Sequence, residues 1–304
     1  MDYIRFDWAI KRMLRDKANF AILEGLISVL LEKNVKITEV LESESNQKDV
    51  TDKFNRVDMI VKSDNEDIFI VEVQVTRDLY FMQRILYGAS KAITEHIKLG
   101  ETYKSVKKII SINLIYFDLG KGKDYLYHGK TTFTGCFQKD ELVMKKKEFE
   151  VIDGDTKARF VETNIFPEYY LIRLNKFNDV AKTPIEEWMT FLKEGVIRKD
   201  TTTPGLKEAE EKLRVGNMSE EEKKEYYRHI DAIMSQNDTI ETYRTEGEEI
   251  GLAKGEAIGI AKGELSVITR QILAKKKKGN TPGEIADMLE LDLKVVEKIL
   301  NEGK

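Results

Sequence analysis

Residues 56–75, RVDMIVKSDNEDIFIVEVQV, constrain the fold of this 304-residue chain more than any other segment. Two apolar runs flank SDNED, a cluster of turn-forming polar residues, and that pattern predicts an antiparallel hairpin. Runs as apolar as VDMIV and FIVEVQV belong in buried strands, so the hairpin requires a covered sheet. Side chains alternate along a strand, so Asp58 shares a face with Arg56 and Ile60, and Glu72 with Ile70 and Gln74. With the turn centred on Asn65, Asp58 falls directly opposite Glu72, and Arg56 opposite Gln74. Opposed Cβ atoms lie roughly 4.5–5.5 Å apart, where like charges destabilise a sheet. A divalent cation offsets that cost, because hard ions such as Mg²⁺ take one or two carboxylates with water and phosphate oxygens. The pair reads either as carboxylates solvated on an exposed sheet face or as a metal site. The solvated face is the commoner fate of strand carboxylates, and the setting inside apolar strands adds weight to the metal site.

The patterns around the hairpin run helix, three strands, long helix, strand, an α+β order. Two helices open the chain, the second over residues 16–32, where Phe20, Leu23, Ile27, Leu30 and Leu31 recur at helical spacing. Strands are predicted over 36–41, 56–62 and 68–75, then a helix over 78–99 with Gly100 as its stop. The apolar run 109–117 is a further strand, followed by β-like pieces at 125–137 and 169–177 and a short helix from Pro184. The four prolines all lie from Pro167 onward, at apparent element boundaries. Expected domains are 1–200, a helical connector 201–245, and a helical end 246–304.

Composition narrows the chemistry. With 54 acidic and 50 basic side chains the formal charge is −4, which excludes a polybasic nucleic-acid coat but not a local basic patch. Cys136 is the single cysteine, so a disulfide framework and a cysteine zinc site are both excluded. Three histidines (His96, His128 and His229) argue against a histidine-rich metal centre. There is no G-x-S-x-G elbow and no P-loop. No apolar run approaches the roughly 18 residues of a membrane helix, and MDYIRFDW is no signal peptide, so a cytoplasmic, membrane-free protein is expected.

Two helical constellations add candidates. Arg84, Tyr87 and Lys91 lie at i, i+3 and i+7, on one face that either meets phosphates or forms a solvated stripe. Asp7 and Lys11, four apart, read as an i,i+4 ion pair.

The pattern D-(x)13-E-x-Q, after two helices and before a long one, resembles the PD-(D/E)XK nuclease superfamily. More closely, the chain is similar to the Rpn family of recombination-promoting nucleases and transposases. The similarity rests on DWAIKR (7–12), NFAILEGLISVLL (19–31), NRVDMI (55–60), IVEVQ (70–74), RILYGASK (84–91), GETY (100–103) and YLIRLNKF (170–177). The resemblance covers roughly residues 1–195, with these blocks in consistent order. The resemblance implies a PD-(D/E)XK restriction-endonuclease-like core, a central mixed sheet flanked by helices, followed by an all-helical C-terminal tail. It implies a metal-dependent endonuclease cutting double-stranded DNA with Mg²⁺ or Mn²⁺, in recombination, mobile DNA or defence. Asp58 then becomes the metal-binding acid of the first catalytic strand and Glu72 its partner. Gln74 stands where the superfamily has a lysine and cannot carry that charge, although E-x-Q is the usual form in Rpn-like families. Glu24, on the second helix, is either an additional metal-binding acid or an exposed glutamate. Lys91 is the candidate for a relocated catalytic lysine, and Arg84, Tyr87 and Lys91 for DNA phosphate contacts. The competing reading is a non-catalytic DNA-binding or self-associating protein that keeps the nuclease fold.

The tail reads differently. Ser219 with Glu222 forms a capping box, and Gly247, Gly251, Gly255, Gly259 and Gly263 then recur every fourth residue. Glycine weakens a helix by about 1 kcal/mol each. The stripe is either a surface where a second helix approaches, giving a homo-oligomer, or a partly helical linker. The interspersed charges exclude membrane burial. In the final segment Thr281, Pro282 and Glu284 cap a helix. Ile285, Ala286 and Leu289 are expected to pack on Val295, Val296 and Ile299 in a helix-turn-helix-like end. Residues 240–304 hold 11 basic and 12 acidic side chains, so a packing module is favoured over a DNA reader despite the run Lys275 to Lys278.

Overall fold

The computed structural model describes residues 3–12, 14, 16–41, 57–96, 102–152, 155–178 and 180–302. Arg56, Gly100 and part of GETY lie outside the described residues. The chain divides into two compact units, Met1–Met234 and Ser235–Lys304.

The first unit is built on a six-stranded sheet. Helices α1 (Phe6–Arg12) and α2 (Phe20–Leu31) precede strands β1 (Ile37–Leu41), β2 (Met59–Ser63) and β3 (Ile68–Gln74). Helix α3 (Phe81–Glu95) crosses to β4 (Ile109–Ile115), and β5 (Leu126–Gly129) follows. A separate ribbon of β6 (Met144–Ile152) and β7 (Asp155–Thr163) comes next, then β8 (Glu168–Arg173), α4 (Pro184–Glu194) and α5 (Leu206–Lys212). Across the sheet the order is β1-β2-β3-β4-β8-β5. β3, β4 and β8 are parallel neighbours, while β1, β2 and β5 join antiparallel, so the sheet is mixed.

The hairpin register is the expected one: Met59 pairs Val71, Ile60 pairs Ile70 and Val61 pairs Phe69. Alternation then sends the two sets of side chains to opposite layers. Met59, Val61, Phe69, Val71, Val73, Ile112 and Leu114 enter the main core with α1, α2, α4 and α5. Ile60, Ile68, Ile70 and Ile109 pack under Ala89 and Ala92 of α3. Burial on both faces explains the near-continuous apolar runs.

Local chemistry sets the helix ends. Thr183 and Glu186 form a capping box with Pro184 in the first turn of α4, which stops at Gly195 in the left-handed region. A Cβ on Gly25 would lie 2.4 Å from the Pro204 carbonyl, so only glycine lets α2 touch that loop. Trp188, fully buried, donates its indole N–H to the same carbonyl at 3.1 Å.

Helix α6 (Glu220–Lys277) contributes to both units and begins at the expected Ser219–Glu222 box. In the second unit it is joined by α7 (Pro282–Leu289) and α8 (Leu293–Glu302). Ile272, Ile285, Ala286, Val296 and Ile299 form its core, edged by Leu289 and Leu291. The Thr281–Glu284 box caps α7 as expected. Val295, however, is 42% exposed and lies outside this core, which Ile272 of α6 joins. Among the described residues no helix is long and apolar enough to cross a membrane.

Candidate active site

Asp58 stands immediately before β2, and Glu72 lies on β3 facing α3. Glu72 is 3% exposed, since it shares a face with Ile68 and Ile70 beneath that helix. The Asp58 main-chain N–H donates to Glu72 Oε2 at 3.2 Å, and the Val73 N–H donates to Asp58 Oδ2 at 2.7 Å. Each carboxylate is thus gripped by the backbone of the other strand, which holds the pair together despite its like charge.

Two cations complete the arrangement. Arg84, on the first turns of α3, meets Glu72 Oε1 at 2.5 Å. Lys11, from the last turn of α1, places Nζ 3.2 Å from Asp58 Oδ1. Burial, and then the Asp58 charge, push the Glu72 carboxyl up to about 7, outweighing the Arg84 guanidinium beside it. A carboxyl this perturbed, paired with specific charges beside a small cavity, is a mark of a functional site.

That cavity lies between α3 and the sheet, has room for about one water, and is lined by the apolar Val57, Ile70 and Ile85 as well as Glu72, Arg84, Gly88, Ser111 and Asn113. The β3–β4 register sets Asn113 beside Glu72 and Ser111 beside Ile70. The Asn113 amide N–H₂ is held by the Ser111 hydroxyl at 3.0 Å, and its Oδ1 is buried without a hydrogen-bond partner. Ser111 and Asn113 interrupt an apolar strand just as Asp58 and Glu72 do, and that interruption was the signal available for them.

The other sequence candidates are distributed as follows. The Gln74 side-chain N–H₂ donates to the Thr76 carbonyl at 3.0 Å, one β3 position beyond Val73. Lys91 lies 3.8 Å from Glu95, seven residues and about 10 Å along α3 from Arg84. Tyr87 sits on the outer side of α3, 36% exposed. Glu24 accepts from the Ile37 main-chain N–H at 2.8 Å and from Lys36 Nζ at 2.9 Å. Ile37 pairs with Ser63, at the opposite end of β2 from Asp58 and roughly 16 Å along it. The structure therefore brings together Asp58, Glu72 and Arg84 but not Glu24 or Lys91.

The Asp7–Lys11 ion pair does not form. Asp7 is 1% exposed and turns inward, meeting Arg5 Nε and His229 Nε2, each at 3.0 Å, which leaves Lys11 for Asp58. Burial works to raise the Asp7 carboxyl, but the His229 hydrogen bond and the Arg5 charge hold it below the usual carboxylate range.

As a donor set, Asp58 and Glu72 offer hard carboxylate oxygens at a partly solvated rim. Two such ligands suit Mg²⁺ or Mn²⁺, which complete their shells with water and substrate phosphate. No cluster of three or more acidic, histidine or cysteine side chains occurs among the described residues, so an all-protein cage is not offered.

Comparison with known proteins gives one finding. The family model described as PD-(D/E)XK nuclease family transposase matches residues 4–243. Neither the curated proteins nor the solved structures gave a match. The matched span contains the whole mixed sheet and the Asp58–Glu72 pair, and it covers most of the chain: this protein belongs to the PD-(D/E)XK nuclease family transposases.

Proposed function

We propose that this protein is a metal-dependent DNA endonuclease that hydrolyses phosphodiester bonds of double-stranded DNA at the Asp58–Glu72 pair. The observation that carries the reading is two interlocked carboxylates, one buried, at the end of a hairpin in a fold that belongs to a nuclease family. Asp58 and Glu72 would hold Mg²⁺ or Mn²⁺, whose charge polarises the phosphate and lowers the pKa of a coordinated water. The Val73 N–H fixes the Asp58 carboxylate, and Arg84 orients Glu72 and places positive charge beside it. Ser111 and Asn113 add polar side chains to the small, mostly apolar cavity beside Glu72. Cations beside the carboxylate pair stabilise charge gathering on the phosphate in the transition state. The reading carries with it a cytoplasmic location and a role in recombination, mobile DNA or defence.

Nicking of supercoiled plasmid tests it. Wild-type protein should cut with Mg²⁺ or Mn²⁺ and not with EDTA, and Asp58→Ala and Glu72→Ala should each lose at least about 100-fold in rate. Cleavage retained by both variants overturns the assignment. One observation favours a second reading, a DNA-binding protein that keeps the fold without cutting: both carboxylates already carry a protein cation. DNA retention with no cleavage in any metal would select that reading.

We also read the glycine-stepped stretch of α6 as a self-association surface for a second copy of the chain. Ile250, Leu252, Ile258 and Ile260 are each more than half exposed there, and no atom lies within 4 Å of a Cβ built on Gly251, Gly255 or Gly259. Sedimentation should give an oligomer for the wild type and a smaller species for Gly255→Glu.

A further inference from the structure

The catalytic strand lacks a cation at Gln74, whose amide is turned to the Thr76 carbonyl. Of the basic side chains near the carboxylate pair, Arg84 is committed to buried Glu72. Lys11 differs in three respects. Its Nζ stands 3.2 Å from Asp58 Oδ1, it is half exposed, and it reaches the pair from the rim on a flexible four-carbon stem. The backbone beneath it is held firmly. One turn earlier Asp7 is anchored to Arg5 and His229, and Trp8 packs edge-on against Tyr226 at 5.8 Å.

We propose that Lys11 supplies the positive charge missing at Gln74, resting on Asp58 until a divalent ion takes that carboxylate and then turning to the scissile phosphate. The inference rests on the nuclease reading above and deepens it. A lysine and a divalent cation cannot both sit close to one carboxylate without repelling each other, so metal binding displaces the lighter charge. The displaced ammonium would remain tethered to α1 beside the carboxylate pair. In the hydrolysis a water oxygen forms a bond to phosphorus, the bond from phosphorus to the leaving sugar oxygen breaks, and the water proton ends on that oxygen. Lys11 stays protonated throughout and stabilises charge on the non-bridging oxygens.

The test uses the full chain and two measurements, Mn²⁺ affinity by paramagnetic resonance of the free ion and single-turnover plasmid cleavage at saturating Mn²⁺. Lys11→Met should bind Mn²⁺ about tenfold tighter, the effect expected from removing a close competing charge near the surface. It should cut about 100-fold more slowly, with Lys11→Arg recovering most of that loss. Lys33→Met, altered at the far end of the hairpin beside Asp67, should match the wild type in both. Unchanged or weaker Mn²⁺ binding by Lys11→Met would overturn the resting contact, and an unchanged cleavage rate would overturn the phosphate role. Failure of the nuclease reading looks different: wild type and Asp58→Ala would then be equally inert, while the Mn²⁺ titration would still decide whether Lys11 competes at Asp58.

Discussion

The first unit contains two antiparallel hairpins that solve the same backbone problem with opposite chemistry. The β2–β3 hairpin is apolar, buried on both faces, and carries its two acids at one end. The β6–β7 ribbon is longer, pairing Met144 with Thr163 through Ile152 with Asp155, and stands outside the main sheet. Its register sets Lys145 opposite Glu162, Glu148 opposite Arg159 and Glu150 opposite Lys157. In the buried hairpin register is fixed by burial, because a slip of one residue would turn every apolar side chain outward. In the ribbon the register sets residues of opposite charge at paired positions, and an opposed pair of that kind is worth roughly 0.2–1 kcal/mol. A charge is ordinary in the ribbon and costly in the hairpin, so the hairpin's carboxylates are the ones that call for a chemical explanation.

Matched substitutions separate the two hairpins, and phenylalanine gives the widest contrast. Phe69 is fully buried and Phe160 is 69% exposed. Phe69→Ala should cost about 3–5 kcal/mol in urea unfolding, and Phe160→Ala no more than about 0.5 kcal/mol. Equal losses would break the distinction.

Charge comes next. The folded protein keeps a proton on Glu72 up to about pH 7, whereas the unfolded chain releases it near the usual 4.5. The folded state therefore binds more protons between those values, and stability falls as pH rises through that window, then levels off. The decline should be on the order of 2–3 kcal/mol in metal-free protein. Chemical denaturation at pH 5, 6, 7 and 8 in EDTA measures it, and Glu72→Gln should remove the slope while Glu162→Gln leaves it.

The smallest effect belongs to the ribbon's own pair. Lys145→Glu sets two acids opposite each other at an exposed position, and should lower stability by less than about 1 kcal/mol.

Legibility in the sequence followed the same division. Residue sums about Asn65 placed Asp58 opposite Glu72 because apolar runs leave a sheet few ways to bury them. The ribbon was not anticipated, because in MKKKEFEVI and DTKARFVET the alternating apolar set is short (Phe149 and Val151, Ala158 and Phe160) and sits among many charges. Its available signal was the complementary charge order around the Asp153–Gly154 dipeptide, a hairpin-turn sequence. At the site, Asp58 and Glu72 were readable as polar breaks in apolar strands, and Ser111 and Asn113 carried the same mark unread. Lys11 was not readable: helical spacing offered it Asp7, and only the packing of α1 against α6 turns Asp7 inward to His229. Glu24 was readable as an acid on an early helix, but its two hydrogen bonds at the start of β1 are a long-range outcome of how α2 sits on the sheet.

The most direct measurement neutralises one acid in each hairpin and compares rates of metal-dependent plasmid nicking. Glu72→Gln should lose at least about 100-fold relative to wild type, and Glu162→Gln should cut at the wild-type rate. A Glu72→Gln protein that folds, binds DNA and nicks as fast as Glu162→Gln would contradict the assignment of hydrolysis to the Asp58–Glu72 pair.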